Sequence, residues 1–278
     1  MILVNGYDLM RYAQERHLVL PAFNTTNLEM TYGIVKGLNM AGLPGYIQIS
    51  SSNLRLSCPA AIAAIAREAN RNSEVPVGLH LDHGKSFADV RACCEAGFTS
   101  IMVDNSALDY EENIKESRKA SDYCHFYGLP VEVELGAIGG KEEDMVHEAD
   151  CRTDPALVAD FVERTRCDLL AVSVGNVHGL CLDPHIDIPL LEKIRQVSKV
   201  PLVLHGGSGI PREVIWEAKK HGLIKINYGA ALRREFISAF GRQYEEDHNA
   251  HDVISLSLRA VDNVAGVVCE LVRMINEK

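Results

Sequence analysis

The chain has 278 residues, 47% of them hydrophobic and 24% charged, a balance that can bury a large core. Lys and Arg number 28 against 38 Asp and Glu, for a formal charge of −10, and no basic run could neutralise several phosphates, which argues against nucleic acid as a partner. No apolar stretch approaches the roughly 20 residues that span a bilayer, and MILVNGYDLMRYAQERHLVL lacks the charged start and cleavage site of a signal peptide, so a cytoplasmic protein with no membrane partner is expected.

In chain order the hydrophobic pattern alternates between strands and helices. It predicts a strand at 19–24 (VLPAFN), a helix at 27–42, a strand at 44–50 (PGYIQIS), a helix at 59–71 and a strand at 75–81 (VPVGLHL). A helix at 86–97, a strand at 100–105, a helix at 111–128 and a strand at 130–136 (PVEVELG) follow. The series closes with a helix at 154–166, a strand at 168–175, a helix at 188–198, a strand at 201–207 (PLVLHGG), a helix at 211–222 and a strand at 223–229 (LIKINYG). Asp154-Pro155 and Ile210-Pro211 have the form of helix starts, and Gly97, Gly128 and Gly222 sit where helices should stop. A further helix is expected over about 252–277, docked on the rest of the chain or on a neighbouring subunit.

Eight strands spaced about 30 residues apart, the length of one βαβ unit, predict one (β/α)8 TIM barrel spanning residues 1–278 as a single domain. An open doubly wound sheet is the competing architecture; against it, FNTTN rather than G-x-G-x-x-G follows the first strand. Between the fifth strand and its helix, AIGGKEEDMVHEADCRT is long for a βα connection and reads as a mobile lid. The eight cysteines include no C-x-x-C pair and read as free thiols of a reducing compartment.

A parallel barrel carries its chemistry at the C-terminal ends of its strands. His83, His178 and His205 end three different strands there, and three imidazoles with an open fourth position suit a catalytic zinc ion. In an extended strand His80 and Asp82 point to one side, so His83 reaches the site only if the chain turns; His80 is expected to support a ligand rather than be one. Asp82 is either a general acid/base or a carboxylate that orients a histidine. Gly206-Gly207-Ser208-Gly209, ahead of a helix start, reads as an anion nest for phosphate or as a tight turn, and Gly179 could add a backbone amide. Glu142 and Glu143 make the lid acidic, which by default is a solvated loop, and Lys85 is left without a role. Zinc, a phosphate nest and a carboxylate together suit aldol chemistry on a phosphorylated ketone. A Schiff-base route would need a strand lysine, and only Lys225 lies within a strand. A hydrolase barrel usually has an H-x-H pair on strand one, and FNTTN has none.

HLDH, ELGxxGG with its acidic loop, GNVHG, LVLHGGSG and KIN, in this order, resemble the class II zinc-dependent fructose-bisphosphate and tagatose-bisphosphate aldolases over nearly the whole chain. The resemblance implies a barrel enzyme, dimeric or tetrameric, that cleaves a ketose phosphate to dihydroxyacetone phosphate and an aldehyde. It also implies that His83, His178 and His205 bind Zn2+, with Glu134 near an alternative metal position and Asp104 and Ser106 lining the site. Asp82 would protonate the C4 hydroxyl, and Glu142 or Glu143 would move the C3 proton. Gly179, Gly207, Ser208 and Asn227 would hold dihydroxyacetone phosphate beside a monovalent cation, sodium or potassium, while Asn24 and Ser50 or Ser51 face the rest of the sugar. Two departures bear on substrate. After KIN the relatives read VATE or VDTD and this chain reads YGAA, with Ala230 in place of a phosphate-gripping threonine. A C-terminal DPR motif is replaced by AHD at 250–252, and Arg55 is the residue that could take over an anionic group. Alternatives to a bisphosphate substrate are a ketose 1-phosphate or a metal barrel that only binds a phosphorylated ligand.

Overall fold

The runs rich in Val, Ile and Leu are strands buried on both faces, as a parallel sheet covered by helices requires. The computed structural model describes residues 2–142, 145–147, 152–179 and 184–277. Its strands are β1 (Leu20–Asn24), β2 (Gly45–Ser50), β3 (Val77–Gly84), β4 (Ser100–Val103), β5 (Val131–Leu135), β6 (Gly139–Glu142), β7 (Met145–His147), β8 (Leu169–Val172), β9 (Val177–His178), β10 (Leu202–Leu204) and β11 (Leu223–Tyr228). Eight of them close into a barrel in the order β1-β11-β10-β8-β5-β4-β3-β2, every neighbouring pair parallel. The expected (β/α)8 barrel is therefore the fold, and all eight expected strands are present.

The helices are α1 (Gly6–Glu15), α2 (Leu28–Ala41), α3 (Pro59–Ala69), α4 (Phe87–Ala96), α5 (Tyr110–Phe126), α6 (Pro155–Thr165), α7 (Ile188–Val197), α8 (Arg212–Lys220), α9 (Ala230–Glu246) and α10 (Val253–Asn276). Local chemistry sets most of their ends. The side chains of Asn27, Ser86, Asp109, Asp154 and Asp187 each accept a hydrogen bond from a backbone N–H in the first turn. Gly97 closes α4 in the left-handed conformation at φ +87°.

Two apolar layers hold the molecule together. The larger lies between the strands and the surrounding helices. The smaller fills the lower half of the barrel, where Leu9, Met10 and Ala13 of α1 meet Leu20, Ala22, Tyr46, Met102 and Val203. Helix α1, absent from the sequence-based expectation, thus plugs the N-terminal mouth of the barrel. Higher up, the same inward positions turn polar: Tyr46 is followed by Gln48, Ala22 by Asn24 and Val203 by His205, all buried. The C-terminal helix expected near 252–277 is α10, and it lies along α2, where Gly33 and Gly37 bring the two backbones close to Val264, Ala265 and Val268.

The long segment after β5 is not an open loop throughout. Backbone β6 forms an antiparallel hairpin with β7 and pairs in parallel with β9, matching Gly140 with His178. This three-stranded sheet was not expected from the sequence.

Candidate active site

Strand β3 delivers three polar side chains by breaking its own regularity. His80 and Asp82 keep the inward parity of an extended strand. His83 then takes a left-handed backbone, φ +46°, and the pairing of β3 with β4 shifts register between Leu81 and Gly84. The expected turn is there, and it swings the His83 ring into the site beside Asp82 instead of outward.

Around His83 the other strand ends converge. The rings of His178 and His205 lie 5.2 and 4.6 Å from it, centre to centre, and all three are buried. His83 Nδ1 sits 2.7 Å from Asp104 Oδ2, and His205 Nε2 sits 2.8 Å from Glu132 Oε1. A carboxylate accepts, so those outer nitrogens carry protons. The inner pair, His83 Nε2 and His205 Nδ1, face each other at 2.8 Å. At that distance the two nitrogens share either a proton or a metal cation, and imidazoles backed by carboxylates form a common metal-binding arrangement. Ligand atoms of His83, His178 and His205 all fall within 4.8 Å of one another, as do those of His83, Asp104 and Glu134. The donors present fit a divalent metal, and neutral imidazole suits zinc.

The carboxylates divide into charged and neutral ones. Burial works to raise the Asp104 pKa, but the hydrogen bond and charge of His83, with Lys85, outweigh it and hold the group well below the usual range. Burial likewise opposes ionisation of Glu132, and Lys225 and His205 overcome it, so it too stays charged. Glu134 goes the other way: burial first, then the charge of Asp104, push its pKa up to about 8. Its Oε2, 3.8 Å from His83 Nδ1, is buried without a hydrogen-bond partner, which is where a further cation would find a ready ligand. His80 is not in the cluster. It bonds Ser100 Oγ at 2.9 Å, and burial, then Lys225, drives its pKa well down, keeping it neutral under Glu132.

Asp82 is held by amides on both oxygens. Asn227 Nδ2 donates to Oδ1 at 3.0 Å, and Asn24 Nδ2 and Gln48 Nε2 donate to Oδ2 at 2.8 and 3.2 Å. Its nearest approach to His83 is 4.0 Å, so it stands beside the imidazoles rather than orienting one by a hydrogen bond. Lys225, fully buried, donates to Glu132 at 2.9 Å and Asn227 at 2.7 Å. Glu132 and Gln48 are site residues to which the sequence assigned no part, and Lys225, weighed there only as the one strand lysine for a Schiff-base route, is bonded to Glu132 and Asn227. The available signal was parity: Glu132 shares its inward face with Glu134, and Lys225 with Asn227.

The remaining candidates fall on the same mouth with unequal parts. Ser106 donates from its backbone and its hydroxyl to Asp104 Oδ1, which fixes the carboxylate behind His83. Ser51 Oγ donates to the His83 carbonyl at 2.6 Å and accepts from Lys85 N, pinning the left-handed turn, while Ser50 is buried next to the Asn53 amide. Lys85 itself pairs with Asp104. Gly206 lies at φ +66°, and any side chain there would strike the Val177 carbonyl. The Gly207 N–H is taken by the Asn227 carbonyl at 2.9 Å. An anion would thus meet the Ser208 hydroxyl, Gly179 and the uncapped N-terminus of α9, where Ala231 N reaches Ser208 Oγ at 3.3 Å. Arg55 is exposed and bonded to the Ser52 carbonyl of its own turn. Glu143 lies outside the described residues, and for Glu142 the backbone alone is described.

Comparison with known proteins finds relatives over nearly the whole chain. A sequence model of the family described as fructose-bisphosphate aldolase class-II matches residues 4–278. A fructose-bisphosphate aldolase of Geobacillus stearothermophilus is 35% identical over 256 residues, covering 91% of this chain and 89% of that one. Among solved structures, the YdjI aldolase from Escherichia coli K12 superposes with a TM-score of 0.86 at 30% identity, covering 99% of this chain and 97% of the other. The fructose-bisphosphate aldolase of Campylobacter jejuni shares the fold, with a TM-score of 0.83 at 20% identity over 99% of this chain and 96% of the other.

Proposed function

The chain belongs to the class II fructose-bisphosphate aldolase family, and on that premise we propose that it is a zinc-dependent aldolase of ketose phosphates. The substrate is fructose- or tagatose-1,6-bisphosphate or a ketose 1-phosphate with a different tail, cleaved reversibly to dihydroxyacetone phosphate and an aldehyde. The observation that carries this reading is the cluster of His83, His178 and His205 with ligand atoms within 4.8 Å of one another, two of the imidazoles facing each other at 2.8 Å and each of those backed by a charged carboxylate.

His83, His178 and His205 would hold the metal, with Glu134 available at an alternative position. When bound, zinc supplies Lewis acidity toward the ketone oxygen. The protein's own groups do the rest. In cleavage Asp82 takes the proton of the C4 hydroxyl as the C3–C4 bond breaks, and in condensation it returns it; its three amide partners fix the carboxylate plane for that exchange. Glu142 or Glu143 carries the proton to and from C3. The phosphate would rest on Gly179, Ser208 and the N-terminus of α9, with Gly206 and Gly207 shaping the turn, Asn227 beside it and a sodium or potassium ion helping, while Asn24, Ser50 and Ser51 face the distal half.

Asp82→Asn tests the reading. It keeps the shape but turns one accepting oxygen into an NH2 that faces an amide donor, a local change away from the histidines, so metal content should be unchanged while turnover falls about 100- to 10,000-fold, the usual contribution of a general acid or base. If the zinc-loaded wild-type protein neither cleaves a ketose phosphate nor exchanges a proton of dihydroxyacetone phosphate with solvent, the proposal is wrong.

A further inference from the structure

We propose that the N-terminal end of the barrel carries a second ligand site, a cationic cavity that binds a phosphate group, free or esterified. It lies at the end opposite the histidines and stands apart from the aldolase reading above. The cavity holds about 300 Å³ between the C-terminal end of α1 and the turns that lead into β10 and β11. His17, Arg195, Lys199 and Lys219 line it from three separate segments of the chain. Among the described residues lining it none is acidic, although the chain as a whole carries a formal charge of −10.

Helix ends account for part of this, since Arg195 and Lys219 stand in the last turns of α7 and α8, where cations are favoured. They do not account for charges left unanswered. Lys220, the next residue along, pairs with Glu217 at 2.6 Å, whereas His17, Arg195 and Lys219 have no carboxylate partner among the described residues. Lys199 has only Glu163 at 3.8 Å, both side chains 76% exposed. Burial, with no acid opposing it, pulls the Lys219 pKa below the ordinary lysine value, so the ammonium is partly stripped of water without a counter-charge. The side chains are also held in place. Arg195 donates from Nη1 to the Ser198 carbonyl at 3.0 Å and lies across Gly222, where a Cβ would come within 2.5 Å of its Cδ and 2.7 Å of its Nε. His17 takes a left-handed backbone, φ +52°, uncommon outside glycine. Three permanent charges on one cavity match a phosphate dianion rather than a single carboxylate. Leu18, Pro201 and Ile224 supply an apolar wall for a carbon body attached to it.

The test is titration calorimetry of the metal-loaded protein with inorganic phosphate and with adenosine monophosphate, while inhibition of ketose phosphate cleavage reports binding at the catalytic mouth. Calorimetry should find a binding event that inhibition does not account for, with Kd below about 1 mM at low salt and weaker as salt is raised. Arg195→Met and Lys219→Met should each weaken it about tenfold, the share of one charge-assisted hydrogen bond, and leave turnover and inhibition at the mouth unchanged. Lys220→Met removes a neighbouring charge that is already paired and should change it less than about twofold. Adenosine monophosphate binding more tightly than inorganic phosphate would show the apolar wall in use and assign the site to a phosphate ester; the reverse order would assign it to the free ion. No binding beyond that at the mouth, or equal losses in Lys219→Met and Lys220→Met, overturns the site. Should turnover be absent, the aldolase reading fails, and the same three variants still decide this one by calorimetry.

Discussion

At His83 a left-handed backbone gives two adjacent side chains separate tasks. Asp82 keeps the parity of the strand and lies among amides, while His83 turns to meet His205 and Asp104. The residue behind His205 is Glu132, which has a lysine on its other oxygen. Replacing it by Gln removes the charge that holds the His205 proton on Nε2 and frees Nδ1 to be protonated instead. Glu132→Gln should therefore weaken zinc binding about 10- to 100-fold, measured by competition with a chelator of known affinity, and unchanged affinity would show that Glu132 does not act on the metal through His205. The three histidines, Asp82 and the glycine turn were legible in the sequence because each stands at a strand end beside glycine or an acid. Glu132 and Lys225 were not. Their parts come from partners on other strands, and a single sequence does not print those pairings.

Elements were legible where capping chemistry and periodicity agreed. Asp154-Pro155 opens α6 and Gly97 ends α4 in the expected places. Helix α1 carries the same kind of signal, an Asn5 cap and buried Leu9, Met10 and Ala13, but it lies ahead of the first strand, outside the βα alternation used to order the chain. The sheet of β6, β7 and β9 was beyond reach for another reason: GGKE has little strand propensity and β9 is two residues long, so tertiary pairing alone defines them. Docking of α10 on α2 depends on two glycines. A Cβ at Gly37 would come within 2.5 Å of Val268 Cβ and 2.6 Å of the Ala265 carbonyl, both too stiff to yield without moving the helix. Gly37→Ala should lower stability by about 1–3 kcal/mol despite its better helix propensity, read as a lower urea midpoint. A gain in stability would mean that the two helices separate easily.

Across the whole molecule the barrel interior is graded from an apolar floor, closed by α1, to a polar rim of Asn24, Gln48, Asp82, Glu132 and Lys225. The walls fix this rim, but one histidine of the proposed metal site, His178, is carried by the small sheet at the mouth, where it pairs with Gly140 of β6. That pairing makes metal occupancy and hairpin order thermodynamically linked quantities. Zinc held by His178 must restrain β6 by the same free energy with which an ordered β6 strengthens the metal site, since coupling between two equilibria is reciprocal. Amide hydrogen exchange over residues 139–142 and 177–178 should accelerate on chelation by at least about tenfold, or 1.4 kcal/mol of coupling, while β1 to β3 stay protected. Exchange indifferent to metal would leave the two equilibria independent. A linked pair has a further consequence: any ligand that orders the hairpin would also raise the affinity for a metal at His178.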